Sequence, residues 1–171
     1  MSLETTPLLP TCDLCDAHRA DDSGRFRVLP PVFQAFGQRP AFAGTVRTVK
    51  CFEDNSPVKT LLESPGQGAV LVVDGGASLR RALVGGNIAA AAARNGWAGV
   101  VVNGCVRDVA ELNAADIGLR ALALVPLPTE RRQPGEVDVA VQVQGVWIRP
   151  GDWLAADADG IVVLDQAPGA A

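Results

Sequence analysis

Two side chains of opposite charge stand together where an apolar run ends: Arg107 and Asp108 close the stretch "VVNGCVRD", residues 101–108. A strand buried on both faces is continuously apolar, so a full cation and a full anion at its end belong where the chain leaves the core. The planar guanidinium of Arg107 matches a carboxylate or an oxyanion with parallel donors. The hard oxygens of Asp108 suit Mg2+ or Mn2+, ions that keep several waters and draw remaining ligands from a substrate. Upstream, "VGGNI" (84–88) sets Gly85 and Gly86 before an Asn87 cap and Ile88 at the start of a helix. Unpaired N–H groups and the positive end of the helix dipole make that start an anion site, and glycines allow close approach. Joined, the two motifs would accept a divalent cation with a small dianionic or 2-oxo acid. Each alone also has a plain reading, an ordinary helix start and a surface ion pair or cap.

The elements around them decide whether the motifs can meet. "AFAGTVRTVKCFED" (41–54) predicts one or two strands, and "SPVKTLLES" (56–64) a helix with Ser56 at its cap and Pro57 in its first turn. Beyond the break at "PGQG" (65–68), apolar strands at 69–74, 98–104 and 119–127 alternate with helices at 86–96 and 108–116. That alternation predicts right-handed βαβ units and a parallel sheet. A helix of about nine residues descends roughly 13 Å, and a strand of about five residues climbs back roughly 16 Å. Arg107 and Asp108 therefore return to the level of Gly85–Ile88. The loop "DGGAS" (74–78) is expected on the same edge, so that three loops meet at the carboxyl ends of parallel strands, the usual ligand position in an open α/β sheet.

The last part of the chain changes character. Val137, Val139, Val141 and Val143 alternate with other residues, and Gln144-Gly145, Pro150-Gly151 and Asp159-Gly160 mark turns, which predicts antiparallel strands. The expected fold class is α/β, one domain over 1–164 with parallel βαβ units plus antiparallel C-terminal strands, and a frayed tail at 165–171. With 48% hydrophobic and 20% charged residues the chain can bury a substantial core. A net charge of −4 with scattered basic residues argues against direct nucleic-acid binding. No apolar stretch is long enough for a membrane span, and no secretory leader pattern opens the chain, so a cytoplasmic location is expected.

Other conspicuous residues invite blander readings. "CDLC" (12–15) lacks the second Cys or His pair a zinc site needs, since His18 is the only histidine; the expectation is a short helix capped by Thr11, with Leu14 and Cys15 inward. Cys105 has no histidine beside it and is expected to be a buried thiol. "DADG" (157–160) lacks the remaining ligands of a calcium loop and suits a turn. Arg80-Arg81 and Arg131-Arg132 suit solvated faces or subunit contacts. Lys50 and Lys59, the only lysines, lie outside the strand-helix block, which disfavours Schiff-base chemistry.

"VVDGGASLRRALVGGNIAAAAARNGWAGVVVNGCVRDVAELNAADIGLRALALVPLPTERR", with "DLCDAH" and "AGTVRTVKCFEDN" before it and "GVWIRPGDWLAADADGIVVL" after it, resembles the regulator of ribonuclease activity A family. That family includes 4-hydroxy-4-methyl-2-oxoglutarate aldolases that also decarboxylate oxaloacetate. The resemblance implies a swivelling β/β/α-type fold, a homotrimer or dimer of trimers, and a divalent metal, Mg2+ or Mn2+. Residue by residue, Arg107 and Asp108 carry over as the catalytic pair, with Asp108 linked to the metal. Gly85, Gly86, Asn87, Ile88 and Arg107 carry over as the substrate loop. The aldolases' pattern has an aspartate where this chain has Gly86, which removes one carboxylate; Asn87 is a neutral substitute. The alternative implied by other members is a non-catalytic trimer that binds and inhibits ribonuclease E. A menaquinone methyltransferase label carried by some relatives would want a GxGxG turn that "DGGAS" does not supply.

Overall fold

Val70–Asp74 and Gly99–Val106 are the segments whose side chains leave least choice: nearly all are buried, so they form central strands covered on both faces. The computed structural model describes residues 8–170. In chain order it contains α1 (Thr11–Ala17), β1 (Phe26–Val28), β2 (Gln34–Phe36), β3 (Phe42–Lys50), α2 (Ser56–Leu62), β4 (Val70–Asp74), β5 (Ala82–Val84) and α3 (Gly86–Arg94). It continues with β6 (Gly99–Val106), α4 (Val109–Ala114), β7 (Gly118–Leu124), β8 (Glu136–Val137), β9 (Val141–Val143), β10 (Val146–Ile148), β11 (Trp153–Ala156) and β12 (Ile161–Leu164).

The main sheet runs β1-β12-β11-β3-β4-β6-β7-β2, with β5 added on β6 and β8 on β3. Its centre, β3-β4-β6-β7, is parallel, as expected for β4, β6 and β7, and β3 joins them. β5 also pairs parallel with β6, and the remaining strand pairs, including β11 with β12 and β9 with β10, are antiparallel. The chain is thus a mixed α/β domain. β3 joins the two regimes, pairing antiparallel with β11 through Phe42–Thr45 and parallel with β4 from Val46 onward.

Strand alternation sorts the core into two layers. Leu71, Val73 and Val102 face Val58 and Leu62 of α2, Ala89 and Ala92 of α3 and Leu112 of α4. Val70, Val72 and Val101 face the other way, onto Val141, Val143, Ile148, Leu154 and Val163. The β9–β10 hairpin turns on Gln144 and Gly145, both at positive φ, as a two-residue turn of that hand requires.

Several local expectations shift. Thr11 does not cap α1; Pro10 holds that position, and the Thr11 amide and hydroxyl instead donate to the Asp157 carboxylate at 2.8 and 2.7 Å. Asn55 rather than Ser56 precedes α2, because Asp54 accepts the Ser56 amide at 2.9 Å and draws the helix start back over the chain. "DADG" is a turn between β11 and β12. Residues 165–170 are described, and they line a hollow of about 590 Å3 with His18, Arg25 and Phe26, far in sequence from the strand-end motifs.

Candidate active site

β6 is one residue pattern serving two partners. Its first half pairs with β4, Val70 to Gly99 through Asp74 to Asn103, and its last residues pair with β5, Ala82 to Cys105 and Val84 to Val106. Inserting β5 beyond the end of β4 delivers the chain to Gly85 beside the end of β6. There the amide of Arg107 donates to the carbonyl of Val84 at 3.0 Å. The predicted meeting of Gly85–Ile88 with Arg107 and Asp108 is thereby made by direct backbone pairing. The third loop does not join them. Gly75 and Ala77 turn back onto the Asn103 carbonyl, and Gly76 and Ala77 line a separate hollow with Lys50, Gln144 and Trp147. β5 occupies the edge that "DGGAS" was expected to reach.

Gly85, Gly86, Asn87, Ile88, Arg107 and Asp108 line one cavity of about 270 Å3. Gly85, not Asn87, is the residue before α3, and Asn87 is exposed in its first turn. The cap comes from across the loop: the Gly86 amide donates to Asp108 Oδ2 at 3.0 Å. Asp108 itself stands at φ 63°, ψ 52°, a left-handed conformation that costs free energy in a non-glycine residue and collects at functional sites. Its side chain does not cap its own helix, α4. Arg107 and Asp108 are not consumed by each other; Nε and Oδ2 are 3.9 Å apart and both side chains are about 40% exposed. Arg107 Nη1 makes only a long contact, 3.4 Å, to the Pro126 carbonyl.

Side chains of the neighbouring loop and helix approach both glycines closely. A Cβ on Gly85 would lie 2.7 Å from Asp108 Oδ2, and a Cβ on Gly86 would overlap a carboxylate oxygen of Glu111 and lie 2.7 Å from its Cδ. The position left without a side chain at residue 86 is therefore filled by a carboxylate from α4.

Three further lining residues have no local sequence signal. After β7 the chain crosses β5, pairing Ala82 with Pro128, and brings Thr129 and Arg131 to the cavity together with Asn55. Asn55 is 6% exposed. Its Nδ2 donates to Leu83 O at 3.0 Å, and its Oδ1 accepts from Thr129 Oγ1 at 2.8 Å and Arg131 Nε at 3.3 Å. Arg131 is thus not merely part of a solvated face; it brings a second guanidinium to the hollow. Arg132 departs from it, its amide donating to the buried Asp54 carboxylate. Burial pushes the Asp54 carboxyl up, but donors from Ser56, Arg132 and Gln133 hold it below its ordinary range. Cys105 is 1% exposed, and desolvation raises its thiol pKa, so it is a core residue.

Among the described residues no three His, Cys, Asp or Glu side chains gather as a metal cage. The donor set still fits Mg2+ or Mn2+, which take one or two protein carboxylates and complete their shell with water and substrate. Asp108 offers hard oxygen at a hollow whose walls also carry two guanidiniums and a helix start. Cations, amides and one carboxylate in so small a space suit a dianionic oxo acid bound with a divalent ion. No helix among the described residues is long and apolar enough to cross a membrane.

Residues 11–163 match the family model described as RraA-like: Aldolase/RraA. A protein of Albidiferax ferrireducens named "Putative 4-hydroxy-4-methyl-2-oxoglutarate aldolase" is 65% identical over 166 residues, 92% of this chain and 96% of its own. The solved structure of the RNA-processing inhibitor RraA from Thermus thermophilis is 48% identical and superposes with a TM-score of 0.89, covering 95% of this chain and 96% of that one. A Geobacillus kaustophilus structure described as an S-adenosylmethionine: 2-dimethylmenaquinone methyltransferase is 39% identical, with a TM-score of 0.88 over 94% of this chain and 97% of its own.

Proposed function

The chain belongs to the RraA-like Aldolase/RraA family, and from that premise we propose that it is a divalent-metal-dependent lyase of small 2-oxo dicarboxylic acids. Its reactions would be retro-aldol cleavage of 4-hydroxy-4-methyl-2-oxoglutarate to pyruvate and decarboxylation of oxaloacetate. The observation that carries this reading is the single hollow shared by Arg107, Asp108, Arg131 and the first turn of α3.

Asp108 would hold the ion. A divalent cation held there would supply Lewis acidity toward the 2-oxo carbonyl next to the bond to be cleaved. Arg107 places its guanidinium against the developing oxyanion, where a fixed donor acts most strongly on charge that forms in the transition state. The amides at the start of α3 orient one carboxylate, and Arg131, steadied by Asn55, faces the other. Lys50 and Lys59 do not line the hollow, so no amine stands ready for a Schiff base.

Pyruvate release from oxaloacetate and from 4-hydroxy-4-methyl-2-oxoglutarate, measured with Mg2+ and then with EDTA, tests the proposal. Release above that of protein-free metal solution, lost in EDTA, is expected. Release that ignores EDTA, or none at all, rules it out. The same proposal includes a trimer or a pair of trimers, whose interfaces would cover exposed Phe52, Leu79 and Trp147; light scattering gives the mass.

A second reading has the 48% identical RNA-processing inhibitor in its favour: a non-catalytic protein that binds and restrains ribonuclease E. Inhibition of that nuclease by a chain inert toward both oxo acids is the result that selects it.

A further inference from the structure

We propose that the carboxyl ends of β3, β4 and β6 form a second ligand site, built for a neutral α-amino acid with an apolar side chain. It lies apart from the lyase reading and stands without it. The runs "TVK", "VVD" and "VVN" (48–50, 72–74 and 101–103) each end in a polar residue at the same rung of the sheet: Lys50 pairs with Asp74, and Asp74 with Asn103. Residues of one rung in a parallel sheet share a face, here that of Thr48, Val72 and Val101 two residues earlier. The rung therefore carries an ammonium, a carboxylate and a carboxamide side by side, turned toward the β9–β10 hairpin, whose Gln144 Nε2 donates to Asn103 Oδ1 at 2.9 Å. These four side chains line a hollow of about 420 Å3 with Ala140 and Trp147.

Neighbouring strands lie about 4.8 Å apart, within reach of an ion pair, yet Lys50 and Asp74 form none. Asn103 is 4% exposed, and its Nδ2 reaches Asp74 Oδ1 only at 3.5 Å. The same Oδ1 accepts the Gly76 amide at 3.0 Å. Asp74 Oδ2 and Lys50 Nζ are left with no protein partner among the described residues. Glu136, the partner of Lys50 on β8, borders the adjoining hollow with Cys51 and Phe52 and forms no ion pair with the lysine either. An unpaired cation and anion one strand spacing apart select a ligand that carries both charges close together. An α-amino acid does so, with its carboxylate on Lys50 and its ammonium on Asp74, both through charge-assisted hydrogen bonds. Its side chain lies toward Ala140 and Trp147. Trp147 is half-exposed, so a neighbouring subunit packed over it would roof the hollow and leave the rung at its floor.

Equilibrium dialysis of the whole protein against radiolabelled L-leucine tests the site, with 4-methylpentanoate and 3-methylbutylamine as competitors that each lack one charge. Millimolar or tighter binding of leucine, displaced by neither competitor, is expected. Asp74→Asn keeps an acceptor for the Gly76 amide, and Lys50→Gln alters only an exposed side chain, so both should keep the parent's thermal midpoint. Each should weaken leucine about tenfold or more, as loss of one hydrogen bond to a charged group does. Glu136→Gln should bind as the parent does. Absence of leucine binding, displacement by 4-methylpentanoate at equal concentration, or parent affinity in both Lys50→Gln and Asp74→Asn overturns the proposal. A loss in Glu136→Gln as large as that in Asp74→Asn would move the ammonium to the adjoining hollow and overturns it as well. Pyruvate release does not enter these readouts, so the lyase reading stands or falls separately.

Discussion

The Gly86 amide donates to Oδ2 of Asp108 across 3.0 Å, tying the first turn of α3 to the loop that ends β6. One carboxylate is thus cap and proposed ligand at once, and two substitutions separate the roles. Asp108→Asn keeps an acceptor for the amide, so its thermal midpoint should stay near the parent's while metal-dependent turnover falls about a hundredfold or more. Asp108→Ala loses the cap as well and should unfold about 1 kcal/mol more easily. Full turnover in Asp108→Asn, checked by pyruvate assay, would remove Asp108 from the metal site.

Arg107 stands beside that carboxylate but carries little of the fold, since its side chain is 40% exposed and its contact to Pro126 O is long, 3.4 Å. Arg107→Ala should reduce kcat by about 10²–10³-fold, the usual loss for an oxyanion donor, with little change in unfolding midpoint. Arg107→Lys should recover only a part, because a point charge replaces a planar fork. Pyruvate formation by Arg107→Ala at the parent rate contradicts the assigned role.

Asn55 is buried and joins Leu83, Thr129 and Arg131. Truncation to Ala orphans these partners, at a cost of about 1–3 kcal/mol in stability, read by urea unfolding. Arg131→Ala removes only the exposed guanidinium. It should raise KM for oxaloacetate roughly tenfold with kcat and stability retained, as loss of a contact equal in ground and transition states does. A fall in kcat with unchanged KM would place Arg131 at the reacting centre instead.

How far the sequence reaches is visible in these residues. Continuous apolar runs and helix starts located β4, β6, β7 and α3, and the lengths of α3 and β6 brought Arg107 level with Gly85. β5 escaped notice because Ala82–Val84 is too short to show any period, and missing it put residues 74–78 on the wrong edge. Asn55 and Arg131 lie 76 positions apart in segments whose local chemistry says only helix cap and basic loop. Their meeting depends on the chain crossing β5 after β7, a tertiary event with no signature in spacing. The Gly86 substitution looked like a lost carboxylate, since a linear pattern does not show that Glu111 fills the space.

The Thr11 amide and hydroxyl both donate to Asp157, fastening α1 to the β11–β12 turn. Burial pushes the Asp157 carboxyl up, but donors from Thr11, Asp159 and Gly160 outweigh it and hold the group below its ordinary range. A carboxylate whose pKa is lowered by folding adds stability that is complete above the unfolded value, about 3.9, and is lost as the pH falls through the lower folded value. Asp157→Asn should therefore be less stable than the parent by about 1–2 kcal/mol at neutral pH, and the difference should hold down to about pH 5 and shrink below about pH 4. Urea midpoints of the two proteins across that range measure the gap. A gap that persists undiminished into strong acid would mean that the neutral geometry of the turn, and not the charge on Asp157, holds α1 in place.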